Sequence, residues 1–132
     1  MTTPWIINVS KDHLVTAPDA DILIQIANPG ETFVEYNKQY TSVIRMNFFG
    51  GYNNPRPDLD ITDYQAKSIA GVLIQALREN KNVVVQCVSG SARSGAIAQV
   101  GIDNGFIPIN QDRKPSKLVY EKVSEEFRRM YK

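Results

Sequence analysis

The sequence predicts an α/β fold with a central, mostly parallel sheet flanked by helices. Residues 82–86, Asn-Val-Val-Val-Gln, are apolar at consecutive positions, which is typical of a strand buried on both faces of a parallel sheet. Helical periodicity precedes and follows this strand, and short apolar runs separated by turn signals fill the first third of the chain. Strands that alternate with helices in this way form an α/β sheet. The length of 132 residues predicts one domain, residues 1–132.

Three strands are predicted before the first helix. They cover residues 5–9, residues 21–26 and residues 42–48. The turn signal at residues 28–30, Asn-Pro-Gly, closes the second of them. Residues 50–58 contain two glycines and two prolines, so we expect a loop without a regular element there.

The clearest predicted helix begins at Thr62, which forms a capping-box pattern with Gln65. Apolar and aromatic residues recur along it at helical spacing, at Ile61, Tyr64, Ile69, Leu73 and Leu77. Two further helices are predicted, one over residues 96–100 with a stop at Gly105 and one from Ser116 onward.

The segment between the 82–86 strand and the second helix reads Cys-Val-Ser-Gly-Ser-Ala-Arg-Ser. A loop that joins a buried strand to a helix is an anion site, because the first helix amides lack internal acceptors and carry the positive end of the dipole. Gly90 lets the backbone approach an anion closely, and the planar guanidinium of Arg93 matches phosphate oxygens. The residues predicted to bind phosphate are Val88, Ser89, Gly90, Ser91, Ala92 and Arg93.

Cys87 lies at the mouth of this loop and is the predicted nucleophile, with Arg93 as the phosphate clamp. Thiols in such places have pKa values of roughly 3.5–7.5 instead of about 8.5, so the sulfur would be ionised at neutral pH without a separate base. The hydroxyl of Ser94 could donate to the sulfur and ease its departure when an intermediate breaks down. If the loop has no catalytic function, Cys87 is a buried, inert thiol and Arg93 is a surface cation.

The run from Cys87 to Ser94 resembles the C-x5-R-[ST] signature of the protein tyrosine phosphatase superfamily, and its flanks resemble the compact dual-specificity branch. Residues 24–30 resemble a strand and turn of small bacterial and phage members. The resemblance covers about residues 20–130 and is strong from Asp60 to Gly105. The low-molecular-weight phosphatases carry this loop near the N-terminus, whereas here it lies two-thirds along the chain.

The resemblance implies a dual-specificity-phosphatase-like fold with a strand, phosphate loop and helix at the active site. It also implies a protein phosphatase that forms a phosphocysteine intermediate on Cys87. Phosphotyrosine is the expected substrate group, with phosphoserine and phosphothreonine as further candidates, so the expected partner is a phosphorylated protein or peptide. No metal or organic cofactor is expected.

The sequence departs from the family pattern at two points. Gln86 stands where the family has a histidine before its cysteine, and glutamine can hydrogen-bond but cannot carry charge. A gapless alignment puts the family's general acid at Pro55 and matches Asp60 to a second aspartate of structural character. Asp58, a few residues late in the same loop, is the candidate acid, and its alternative role is that of a solvated turn residue.

The composition argues against several other classes of protein. One cysteine and one histidine allow no intramolecular disulfide and disfavour a soft-ligand metal site. A net charge of +1 predicts binding to neither nucleic acid nor membrane. The N-terminus lacks the pattern of a signal peptide, and we expect a cytoplasmic monomer.

Two other function classes stay open at this point. Gln86 and the displaced acid favour a pseudophosphatase, which would bind phosphate or a phosphoprotein without turning it over. A sulfur-transfer or arsenate-reducing enzyme could use the same kind of loop, although arsenate reduction usually needs further cysteines and the chain has one.

Overall fold

A five-stranded parallel sheet forms the centre of the computed structural model, which describes residues 2–51 and 56–131. The strands are β1 (Trp5–Ser10), β2 (Ile22–Ala27), β3 (Ser42–Asn47), β4 (Val83–Cys87) and β5 (Ile107–Pro108). Their order across the described part of the sheet is β3-β2-β4-β1-β5, and every neighbouring pair is parallel. The predicted α/β fold is confirmed. The edge strand β5 was missed, because two residues that include a proline carry no strand pattern.

Three α-helices complete the described fold: α1 (Asp63–Glu79), α2 (Arg93–Asp103) and α3 (Lys117–Met130). The predicted capping box of α1 is confirmed, because Thr62 Oγ1 accepts from the Gln65 amide at 3.1 Å and Gln65 Oε1 accepts from the Thr62 amide at 2.9 Å. Across residues 2–51 and 56–131, no helix has the length and apolar character needed to cross a membrane.

Two differences from the sequence prediction concern the candidate site. The second helix begins at Arg93, three residues before the predicted start, so the candidate phosphate clamp is itself its first residue. The 50–58 loop was expected to hold no regular element, yet Pro57–Leu59 forms a 3₁₀ helix. Pro57 is its first residue, where the fixed φ of proline favours helical geometry and no amide donor is required. Residues 52–55 lie outside the described part of the chain.

All three α-helices pack against one face of the sheet. The larger core cluster joins strand residues such as Ile24 and Val85 to Leu73 of α1, Ile97 of α2 and Phe127 of α3. The opposite face carries a smaller cluster that includes Ile7, Leu23 and Val84, covered by Leu14 and by the partly buried side chains Val34, Tyr36 and Tyr40. Because side chains alternate along a strand, Cys87 faces the helices and Gln86 faces the other side.

The parallel arrangement brings the carboxyl ends of the strands to one edge of the sheet. Ser10, the last residue of β1, pairs with Cys87, the last residue of β4, and β2 lies on the other side of β4. The loops that follow these strands therefore meet around Cys87, at the edge where open α/β sheets bind ligands.

Candidate active site

The sulfur of Cys87 lies inside the concave loop that joins β4 to α2. Its Sγ is 3.1 Å from Ser94 Oγ and accepts hydrogen bonds from the amides of Gly90 at 3.2 Å and Ser94 at 3.5 Å. The cysteine has 0% of its surface exposed, so these groups replace water around the sulfur. Such donors favour the ionised form of the group that accepts from them.

Opposing effects set the pKa of the Cys87 thiol. Burial is the largest effect and raises the pKa, whereas the hydrogen bonds from Ser94 and Gly90, together with the charge of Arg93, lower it. The lowering effects prevail, and the pKa lies below that of an ordinary cysteine thiol. The loop therefore stabilises a thiolate, as a nucleophile requires.

Gly90 fixes the path of the loop against strand β1. Its φ is +75°, and a Cβ at this position would lie 2.2 Å from the amide nitrogen of Ser10. Asn8 holds the same turn, because its Nδ2 donates to the Gly90 carbonyl at 2.7 Å and to the Asp112 carbonyl at 2.9 Å. The loop is thus pinned between β1 and the segment before α3.

The far side of the loop is held by the chain that leads into α3. The amide of Lys114 donates to the Ser91 carbonyl at 3.2 Å, and the amide of Ser116 donates to the Ala92 carbonyl at 2.9 Å. Ala92 caps α2 without a side-chain hydrogen bond. The positive N-terminus of α2 therefore lacks a side-chain oxygen from its own cap, which favours an external anion at that place.

The Arg93 side chain is hydrogen-bonded to the backbone directly after β3. Its Nη1 donates to the Phe48 carbonyl at 2.8 Å, and its side chain lies beside Gly50. Burial lowers the pKa of the Arg93 guanidinium, and the nearby Cys87 and Glu31 oppose that change. The structure therefore brings three of the predicted site residues together on one loop: Cys87, Arg93 and Ser94.

Asp58 lies elsewhere, on the exposed 3₁₀ helix Pro57–Leu59. Its carboxylate forms a bidentate ion pair with Arg56, with Nε to Oδ1 at 3.1 Å and Nη2 to Oδ2 at 2.9 Å. The hydrogen bond from Arg56 holds the pKa of Asp58 below its usual range. A proton donor must first be protonated, so Asp58 would have to leave Arg56 to act as the acid.

The structure shows three supporting residues that the sequence analysis did not single out: Asn8, Gln25 and Arg45. Gln86 Nε2 donates to the Cys87 carbonyl at 3.0 Å, Gln25 Nε2 donates to Gln86 at 3.0 Å, and Arg45 Nε donates to Gln25 at 2.9 Å. The available signal was a polar residue inside an otherwise apolar strand, as in β1 and β2. Such residues are buried only where hydrogen bonds satisfy them.

A cleft of about 530 Å³ opens beside the loop. Gln86 and Val88, the two neighbours of Cys87, form part of its wall. The rest of the lining comes from the end of β2, from the segment after it and from Lys11, and includes Glu31 and Phe33.

Comparison with known proteins supports the fold but not a closer assignment. No protein-family model matches the chain, and no curated protein sequence is similar to it. Among solved structures, the crystal structure of human DUSP28 matches with a TM-score of 0.56 and 11% sequence identity. The match covers 96% of this chain and 94% of that one. The chain therefore has a dual-specificity-phosphatase-like fold.

Proposed function

We propose that the chain is a cysteine-dependent phosphomonoesterase that hydrolyses phosphotyrosine in proteins or peptides, with phosphoserine and phosphothreonine as further candidate substrates. One observation carries the proposal: the sulfur of Cys87 accepts from two loop amides and contacts the Ser94 hydroxyl. Arg93 begins the helix whose N-terminus faces this sulfur. The dual-specificity-phosphatase-like fold supports the same assignment.

The proposed reaction has two steps. The Cys87 thiolate attacks phosphorus, the bond from phosphorus to the substrate oxygen breaks, and that oxygen leaves with a proton. The loop amides and Arg93 hold the three remaining phosphoryl oxygens. Water then attacks the phosphocysteine, which releases inorganic phosphate and returns the thiolate, and the Ser94 hydroxyl stabilises the departing sulfur.

The character of the loop supports a phosphoprotein substrate over the alternatives. Residues 88–92 contain no lysine that would favour a polyphosphorylated lipid head group. The net charge of +1 offers little attraction to the 5′-phosphate end of RNA. The half-buried ring of Phe33 lines the cleft beside the loop, where it can pack against the ring of a phosphotyrosine.

Asp58 is the proposed proton donor to the leaving oxygen. It is the last residue of the 50–58 loop, whose first residue, Gly50, lies beside the Arg93 side chain. Its ion pair with Arg56 opposes the role, because the pair stabilises the ionised carboxylate. Substrate binding would have to displace this pair before Asp58 could donate.

The same ion pair favours the second candidate function. A pseudophosphatase would keep the phosphate loop and lack an effective acid, and Asp58 paired with Arg56 fits that description. Such a protein would bind a phosphoprotein without consuming it.

Turnover of p-nitrophenyl phosphate and of a phosphotyrosine peptide separates the two functions. The leaving group of p-nitrophenyl phosphate scarcely needs an acid, so this substrate tests the thiolate and the loop alone, whereas the peptide also tests the acid. We expect wild-type protein to hydrolyse both and the C87S variant to hydrolyse neither while still binding vanadate or phosphate. Phosphate binding without turnover of the peptide by the wild type would support the pseudophosphatase, and neither binding nor turnover would refute both.

A further inference from the structure

Three hydrogen bonds in series connect Arg45 on β3 to the backbone carbonyl of Cys87. Arg45 Nε donates to Gln25 Oε1 at 2.9 Å, and Gln25 Nε2 donates to Gln86 Oε1 at 3.0 Å. Gln86 Nε2 then donates to the Cys87 carbonyl oxygen at 3.0 Å. Strand register makes this possible, because Gln25 pairs with Arg45 on one side and with Gln86 on the other.

The direction of these bonds is fixed by chemistry at both ends. An arginine side chain has donors only, and a backbone carbonyl has an acceptor only. The amide oxygen of Gln25 must therefore face Arg45, and the amide nitrogen of Gln86 must face the Cys87 carbonyl. Both amides point their oxygens toward the positive charge and their nitrogens toward the Cys87 carbonyl. Hydrogen bonds in such a series strengthen one another.

Both glutamine side chains of this series are buried. Gln25 is 0% exposed and Gln86 is 4% exposed, so an unbonded amide at either position would be costly. Gln25 also donates to the Val34 carbonyl at 3.0 Å, which anchors the segment that covers this face. Apolar side chains would fill the same positions without any demand for hydrogen bonds, so the amides point to a role beyond packing.

Aromatic rings hold the charged end of the series. The guanidinium carbon of Arg45 lies 5.7 Å from the ring centre of Phe33 and 5.8 Å from that of Tyr36. Such stacking orients the guanidinium, and its Nε points inward to Gln25 while the side chain remains exposed.

We propose that Arg45 is a positioning residue of the candidate active site, which acts through Gln25 and Gln86 to orient and polarise the peptide carbonyl of Cys87. That carbonyl belongs to the peptide group with which the phosphate loop begins. Gln86 occupies the position where the resembling family has a histidine, and it cannot itself carry charge. Arg45 supplies a charge from two side chains away. The inference rests on the proposed function only in taking Cys87 as the reacting thiol.

The expected consequence is a thiol that ionises more readily. Polarising the carbonyl makes the rest of that peptide group more positive, next to the sulfur. The charged group that faces Cys87 from α2 is Arg93, and Glu31 acts on Arg93 from the segment after β2. Lys11, after β1, lines the adjoining cleft. A variant that leaves these charges in place isolates the contribution of Arg45.

Alkylation by iodoacetamide measures this ionisation without requiring turnover. Cys87 is the only cysteine, so the rate as a function of pH reports one thiol. We expect R45M to move the midpoint to higher pH and to slow alkylation at pH values below the midpoint by about fivefold, the effect of losing one hydrogen bond. R78M is the matched control, because Arg78 is an exposed arginine that also stacks on a tyrosine ring, at 5.5 Å from Tyr131. It should leave the midpoint unchanged.

A double-mutant cycle tests whether the effect passes through Gln25. In the Q25M background, R45M should cause no further shift, because the series is already broken. If Q25M does not fold, the ¹³C shift of the Cys87 carbonyl decides, and it should change in R45M but not in R78M. An unchanged midpoint in R45M, a full R45M shift in the Q25M background, or an unchanged carbonyl shift would overturn the proposal. A wild type without p-nitrophenyl phosphate turnover would count against the proposed function alone.

Discussion

The hydroxyl of Ser94 lies 3.1 Å from the sulfur of Cys87, at the first turn of the helix that follows the 88–92 loop. This hydrogen bond lowers the pKa of the thiol, and in the proposed reaction it also stabilises the sulfur as it leaves the phosphocysteine. In the proposed reaction, the same contact thus serves both the attack by the thiolate and the breakdown of the phosphocysteine.

Replacing Ser94 with alanine should raise the pKa of the Cys87 thiol. Because the folded protein holds this pKa below that of an ordinary cysteine, the thiolate is present at lower pH, and losing a donor reverses part of that effect. The pH midpoint of alkylation should rise and phosphocysteine breakdown should slow. S89A is the control, because the Ser89 hydroxyl accepts from the Ser91 amide and not from a group at the sulfur. Equal midpoints in S94A and wild type would contradict the role.

Replacing Arg93 with lysine should lower kcat/KM by about 10²-fold or more. A lysine provides a point charge, whereas the guanidinium offers a planar pair of donors to phosphate oxygens. The control is R129K, because Arg129 lies on α3 in an exposed ion pair with Glu125. Steady-state kinetics with p-nitrophenyl phosphate measure both variants. A value for R93K near that of wild type would exclude Arg93 as the clamp.

Replacing Gly90 with alanine should destabilise the fold by at least about 2 kcal/mol. The residue has a φ of +75°, and the added Cβ would lie 2.2 Å from the Ser10 amide. Gly30 offers a matched control, because its φ is +84° but a Cβ added there would have nothing within 4 Å. Denaturant unfolding should show a larger loss for G90A than for G30A. Equal losses would mean that backbone strain alone, and not the contact with β1, restricts position 90.

Replacing Asp58 with asparagine tests the proton donor. If Asp58 protonates the leaving oxygen, D58N should lower turnover of phosphotyrosine or alkyl phosphates by about 10²–10⁴-fold and affect p-nitrophenyl phosphate much less. D60N is the comparison, and it should act mainly through stability, because the family resemblance matches Asp60 to an aspartate that has a structural role. Equal losses with both substrates would assign Asp58 to structure or binding. No loss with either would mean that the acid lies elsewhere or is absent, and the absence of an acid would favour the pseudophosphatase.

Local sequence signals predicted the strand, loop and helix that carry the candidate site. The apolar run of β4, the glycine and arginine of the loop, and the helix that follows are adjacent in sequence, so their arrangement depends on short-range geometry. The start of α2 at Arg93 was less predictable, because Arg93 and Ser94 serve both the loop and the first helical turn.

Contacts across the sheet could not be read from the sequence. Gln25 meets Arg45 and Gln86 only because β2 lies between β3 and β4, and no single strand specifies that order or its register. For the same reason, the sequence does not predict the hydrogen bond from Asn8 to the Gly90 carbonyl, which joins residues 82 positions apart. The sequence singles out Asp58 only by its position in the 50–58 loop. Its ion pair with Arg56 depends on the 3₁₀ helix Pro57–Leu59, which the sequence analysis did not predict.

The most direct test of the account is to trap the covalent intermediate. Wild-type protein is mixed with p-nitrophenyl phosphate, quenched with denaturant within the first turnovers and digested for mass spectrometry. We predict a phosphoryl group on the peptide that carries Cys87, more of it in S94A, and none in C87S. Turnover by the wild type with no phosphoryl group on Cys87 in either wild type or S94A, or turnover that persists in C87S, would contradict the central claim that this sulfur attacks the phosphate.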